Sequence, residues 1–128
     1  MKKNSNKELG EKAENLAMDF FKKKGYSLIE KNFTAKTGEI DLILKDKNDI
    51  IVFMEVKARY GDKFGTPQEA VTPKKQRQII RTAHWYIQKK NMHAMNMRFD
   101  VMAIRFYPDR EPSFEHIPFA FEDTLADY

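Results

Sequence analysis

Residues 38–61 read GEIDLILKDKNDIIVFMEVKARYG, two apolar runs joined by a polar link. Glu39–Lys45 and Ile50–Ala58 are rich in isoleucine, leucine and valine, which predicts strands. The link KDKND is short enough for a hairpin, so the pair should run antiparallel. Side chains alternate along a strand, and Ile51, Phe53, Glu55 and Lys57 therefore share one face while Val52, Met54 and Val56 take the other. A hairpin centred on Asn48 sets Asp41 opposite Glu55 and Glu39 opposite Lys57; a slip of two residues would keep the faces and change the partners. In that register two carboxylates stand about 5 Å apart at their Cβ atoms, a like-charge pairing that costs stability unless something positive sits between them.

A divalent cation meets that requirement. Carboxylate oxygens suit Mg²⁺ or Mn²⁺, and the main-chain carbonyl of Val56 offers a further oxygen beside Asp41 and Glu55. Lys57, on the face of Glu55, would then orient an attacking water, lower its pKa, or stabilise charge on a phosphate as a bond breaks. Glu39 is either a second ligand or a partner for Lys57. The competing account of Asp41, Glu55 and Lys57 is a salt-bridge cluster at the mouth of a hairpin, because E-x-K alone arises by chance in many strands.

Outward from the hairpin, Leu9, Ala13, Leu16, Ala17 and Phe20 recur at helical spacing between about Ser5 and Lys24, ahead of Gly25. Tyr26–Phe33 has a broken apolar pattern and predicts a strand. Gly61, Gly65 and Pro67 mark a loop, and Arg59–Pro67 either closes over a substrate or merely connects. Thr72 followed by Pro73 starts a second helix that runs to about Lys90, with Ile79, Ile80, Ala83, Tyr86 and Ile87 inward. Phe99–Phe106 predicts a further strand, and Pro108, Pro112 and Pro118 predict an irregular or edge-like tail from about residue 107. The order helix, three strands, helix, strand is that of an α/β domain, a central mixed sheet flanked by helices.

At 128 residues the chain makes one domain and is too small for two independent cores. Its net charge of +4 is modest but polarised. No acid stands between Ala70 and Phe99, a segment that carries Lys74, Lys75, Arg77, Arg81, Lys89, Lys90 and Arg98, whereas the tail from Tyr107 sets Asp109, Glu111, Glu115, Glu122, Asp123 and Asp127 against Arg110 alone. Lys74, Arg77, Arg81 and Trp85 lie away from the apolar stripe of the second helix, and Lys75 points to its flank, nearer the sheet. Such a face is ordinarily solvated; without acidic partners and with Trp85 among the cations, it also suits phosphates and stacking on an unpaired base. The absence of cysteine removes disulfides, zinc–thiolate sites and thiol nucleophiles. Neither a signal peptide nor a membrane span is visible, so a soluble cytoplasmic protein is expected. His84, His93 and His116 have no ligand spacing, and nothing resembles a phosphate-binding glycine loop or a nucleophile elbow.

GEIDLI, FMEVKAR, FGTPQEAVTPKK and RFDVMAI, together with ELGEKAENLA near the N-terminus, resemble the bacterial YraN family of the PD-(D/E)xK nuclease-like superfamily, related to Holliday-junction resolvases. The resemblance covers nearly the whole chain and implies a restriction-endonuclease-like αβββαβ core. It implies Asp41 as the metal-binding aspartate, Glu55 and Lys57 as the (D/E)xK pair, and Glu14 as the first-helix glutamate of several relatives. The superfamily's proline is absent, since Ile40 precedes Asp41. The expected function is that of a Mg²⁺- or Mn²⁺-dependent endonuclease on DNA, with branched structures as candidate substrates. Junction-cutting relatives dimerise, which brings a homodimer among the expectations. The alternatives are a nucleic-acid-binding module that keeps the fold without cleaving, and a scaffold acting through the acidic tail.

Overall fold

The computed structural model describes residues 2–61 and 71–125, with side chains from residue 7 onward. Most of the loop expected between Arg59 and Pro67 lies outside the described residues. Helix α1 spans Lys2–Lys23, strands β1, β2 and β3 span Ser27–Ala35, Gly38–Lys45 and Ile51–Tyr60, helix α2 spans Pro73–Lys89, and strands β4 and β5 span Met97–Phe106 and Ser113–Phe121. All five strands form one sheet in the order β1-β2-β3-β4-β5. Neighbours are antiparallel except β3 and β4, which run parallel because α2 makes the crossover between them. This is the α/β order expected of a restriction-endonuclease-like core, extended by β5.

The helix ends follow from local chemistry. Gly25 takes φ 91°, which lets its own N–H reach the Lys22 carbonyl and the Tyr26 N–H reach the Phe21 carbonyl, each at 3.0 Å, closing the last turn of α1. At the start of α2 the Thr72 hydroxyl accepts from the Lys75 amide at 3.2 Å, and Pro73 fills the first turn, where no N–H is needed.

Alternation along the strands sorts the core into two layers. On one face Ile43, Ile51, Phe53, Phe99 and Val101 pack against Ile79, Ile80, Ala83 and Tyr86 of α2. On the other, Leu42, Leu44, Val52, Met54, Met102 and Ile104 pack against Ala13, Ala17 and Phe21 of α1. Full burial of each large side chain contributes about 1.5–3 kcal/mol, and both helices are held by such contacts rather than by their own weak propensity.

Of the irregular or edge-like tail expected, the edge-like reading holds for its middle. Ser113–Phe121 is an ordered edge strand paired with β4 from Arg105↔Ser113 to Phe99↔Phe121. Pro118 is tolerated because it stands where the register shifts between Phe99 and Val101, with Phe119 at φ 52°. That irregularity aims the Phe119 N–H at Asp100, 3.1 Å away. Asp100 is fully buried and also meets Arg98 Nε at 3.1 Å and His116 Nε2 at 2.8 Å, while Arg98 reaches Asp46 at 2.6 Å and the Tyr26 hydroxyl at 2.9 Å. The Arg98–Asp100 ion pair is thus the centre of a buried polar lock joining Tyr26 at the head of β1, the hairpin turn and β5. Burial alone would raise the Asp46 carboxyl, but the amides of Ile50 and Asn48 and the Arg98 guanidinium outweigh it and hold the group below the ordinary aspartate value.

Candidate functional site

The ladder between β2 and β3 runs from Lys45↔Ile51 to Leu42↔Met54, the register of a hairpin centred on Asn48, and then stops. Strand β3 continues alone beside β4 as far as Tyr60↔Phe106. Where β2 departs, the Val56 N–H donates to Asp41 Oδ2 at 2.8 Å in place of a ladder carbonyl. Odd-numbered residues of β3 turn their amides toward β4, as Ile51 does to the Asn96 carbonyl at 2.9 Å, so the N–H and C=O of Val56 both face the gap.

Asp41 continues the row of Ile43, and Glu55 and Lys57 continue the row of Ile51 and Phe53, so all three lie on the α2 face of the sheet. Glu55 is 5% exposed and hydrogen-bonds carboxyl to carboxyl with Asp41. Burial, and then the Asp41 charge, push Glu55 up to about 7 against the pull of Lys75 and Lys57. Asp41 is also raised, by burial first, while the Val56 amide and the Glu55 carboxyl favour its ionised form. Both shifts work against two negative charges in the gap, so the pair keeps a proton to higher pH than a free carboxyl does. Lys57 Nζ stands 3.5 Å from Glu55 Oε2, and Lys75 Nζ approaches the same oxygen at 4.0 Å from the first turn of α2.

Glu14 on α1 and Glu39 on β2 border the gap. Burial, then the Asp41 charge, raise Glu14, opposed by a hydrogen bond from Asn32, which sits at φ 53° on β1. Glu39 is exposed, opposite Thr34, and its charge raises both Asp41 and Glu14. The expected pairing of Glu39 with Lys57 is not formed: Lys57 turns inward to the more deeply buried Glu55. Among the described residues no three His, Asp or Glu side chains close into a metal-binding group. The oxygens that do converge are those of Asp41, Glu55 and the Val56 carbonyl. They form a hard donor set that fits Mg²⁺ or Mn²⁺, with a shared proton where a cation's charge would otherwise be required.

Lys74, Arg77, Arg81, Trp85 and Lys89 are exposed along one side of α2, and among the described residues none of the four cations makes an ion pair. Lys75 is the exception in this segment, being turned to the carboxyl pair. Its position was legible: it precedes Ile79 by one turn on the inward stripe. The acidic tail lies alongside, with the Asp123 carboxylate on His84 Nε2 at 2.8 Å and Thr124 and Leu125 beside Arg77 and Arg81. This docking had no sequence signal, because it depends on the turn-back of β5. No described helix is long and apolar enough to cross a membrane.

Comparison with known proteins agrees with the motifs. The profile of the uncharacterised protein family UPF0102 matches residues 13–104. A UPF0102 protein of Trichlorobacter lovleyi is 42% identical over 117 residues, covering 91% of this chain and 92% of the relative. One from Clostridium perfringens is 46% identical, covering 84% and 87%, and one from Geotalea daltonii is 48% identical, covering 94% of each. The matched span contains Glu14, the hairpin and all of α2.

Proposed function

The chain belongs to the uncharacterised protein family UPF0102, and for it we propose a divalent-metal-dependent endonuclease that hydrolyses phosphodiesters of DNA, with branched structures as preferred substrates. The observation that carries this reading is the buried Asp41–Glu55 pair at the parting of β2 and β3, with the Lys57 amine 3.5 Å from Glu55. Two acids are not held beside one another in a low-dielectric site without cost, and their oxygens together with the Val56 carbonyl match what Mg²⁺ or Mn²⁺ takes. When bound there, such an ion would supply Lewis acidity toward a phosphate oxygen.

The chain's own residues do the rest. Asp41 is fixed by the Val56 amide and keeps one carboxylate oxygen for the gap. Glu55 must release its proton to serve as a ligand, which sets a rising pH dependence through about 7. Lys57 holds an ammonium at the site, able to orient water and to stabilise charge developing on the phosphate. Glu14 and Glu39 add negative potential that favours cation entry. The exposed cations of α2 hold the backbone of the substrate in place. Cytoplasmic placement and assembly as a homodimer, with two sites on one branched substrate, belong to the same reading.

Calorimetric titration with Mn²⁺ and a nicking assay over duplex, flapped and four-way DNA test it. Wild type should take up Mn²⁺ and cut; Asp41→Asn should do neither. A second reading, nucleic-acid binding without cleavage, is favoured by Lys75, whose amine already offers positive charge to Glu55 at 4.0 Å. Absence of metal uptake by wild type, with salt-dependent DNA binding intact, would select it.

A further inference from the structure

We infer that the cleft between Trp85 and the β1–β2 turn is a seat for one unpaired nucleobase, so that the protein reads splayed strands through a stacking contact remote from the carboxyl pair. The inference rests on the nucleic-acid reading above and adds to it a site and a substrate feature. The cleft, of about 410 Å³, is lined by Ala35, Lys36, Thr37 and Trp85. The Trp85 indole is 48% exposed, although α2 buries its neighbours Tyr86 and Ile87. The opposite wall is preformed. Thr37 Oγ1 is hydrogen-bonded to Thr82 Oγ1 at 2.8 Å, and Gly38, at φ 146°, lets the turn approach so closely that a Cβ there would stand 3.3 Å from Thr82 Oγ1. A wall already in place lowers the ordering cost of seating a flat ligand.

The charges around the cleft select the occupant. Arg81 and Lys89 flank Trp85 one turn away on either side, Lys36 stands across from it, and no acid occurs between Ala70 and Phe99. An apolar slot ringed by cations matches a base carried between phosphates, for which stacking on an indole and contact with Lys or Arg act together. A second copy of the chain would set one basic face against another, a like-charge contact that opposes a symmetric dimer here. Trp85 follows Lys75 by ten residues on α2, about 15 Å along the helix axis. A base seated at Trp85 therefore lies at a fixed offset from the carboxyl pair, which makes strand separation part of recognition.

Trp85 is the only tryptophan, so its emission reports the seat directly. The probes are a single-stranded 20-mer, a blunt duplex of the same sequence, a splayed Y-structure, and a 20-mer with abasic sites, all in EDTA. The inference expects quenching by the single strand and the Y-structure only, with salt-dependent but silent binding of the duplex and of the abasic strand. Trp85→Ala should weaken single-strand and Y-structure binding about tenfold and leave duplex binding unchanged, whereas Trp85→Phe should stay within about threefold of wild type. Equal quenching by duplex and single strand, or Trp85→Ala without effect, overturns the base seat. A blue-shifted emission that no DNA alters, with a dimer in light scattering, also overturns it. Failure of the nuclease reading is read separately: quenching without Mn²⁺-dependent nicking sinks catalysis and leaves the seat, whereas nicking indifferent to Trp85→Ala sinks the seat and leaves catalysis.

Discussion

Replacing Glu55 by glutamine isolates the energetics of the carboxyl pair. The amide has the size of the protonated acid and can donate to Asp41 as that acid does, but it cannot ionise. Glu55 titrates at about 7 in the folded chain against 4.5 when unperturbed. Between those values the folded state keeps a proton that the unfolded state has released, so stability present below about pH 4.5 is lost as pH rises to 7. At 1.36 kcal/mol per unit, the difference amounts to about 3 kcal/mol at pH 8. Glu55→Gln should therefore be more stable than wild type by about 3 kcal/mol at pH 8 in EDTA, roughly 10 °C in Tm, and the gap should close toward pH 4.5. Saturating Mn²⁺ should close most of that gap at pH 8, stabilising wild type by about 2.7 kcal/mol at a hundredfold excess over Kd while leaving Glu55→Gln unmoved. Urea unfolding at pH 5, 6, 7 and 8 measures all of this. Equal stabilities at pH 8, or a gap that widens as the pH falls, would refute the account of a proton held between Asp41 and Glu55.

Lys57→Ala should keep Mn²⁺ uptake and DNA affinity within about threefold, while nicking falls about 10²–10³-fold, the cost of losing one charge-stabilising donor; loss of binding in proportion to cleavage would remove Lys57 from the chemistry. Lys75→Met removes a charge that lowers both Glu55 and Asp41, so calorimetric Mn²⁺ uptake should move to higher pH; an unchanged or lower profile would show that the amine 4.0 Å away has no hold on the pair. Neutralising the tail with Glu122→Gln and Asp123→Asn should strengthen DNA binding and steepen its salt dependence, as read by anisotropy, since it takes negative charge from beside the basic face. Weaker binding in that variant would instead mean that the Asp123–His84 contact orders the α2 face.

What the sequence disclosed and what it hid divide along the range of the interactions. The hairpin register was legible because KDKND permits one compact turn, here closed by Asp46 Oδ1 accepting from Asn48 and Ile50 at 2.8 and 3.0 Å. The ends of α2 were legible from Thr72 and Pro73, which act on backbone groups a few bonds away. β5 was legible only as an edge-like stretch, because its stability comes from pairing with β4 and from the Asp100 lock, whose Phe119 amide is 19 residues away, while its local cues were two prolines and scattered charge. The approach of Lys75 to Glu55 was half legible. Its helical phase turned it to the sheet, but no local pattern says which strand residue a helix's first turn will overlie.

The charges inside the apolar hairpin find their explanation in where β2 and β3 part. Up to Leu42↔Met54 the ladder satisfies the backbone and apolar side chains fill both faces. One step further the ladder has ended, and a buried amide needs an acceptor, which Asp41 supplies. A lone carboxylate in that position would suffice for structure. A second acid at Glu55, buried and raised by the first, adds repulsion that Lys57 and Lys75 only partly offset. An apolar residue at position 55 would continue the row of Ile51 and Phe53 without that cost, so the fold alone does not call for Glu55. Local stability given up at a cluster of converging oxygens is what a ligand-binding site looks like before its ligand arrives, and that physical argument, more than E-x-K as a pattern, favours a cation there over a salt-bridge cluster.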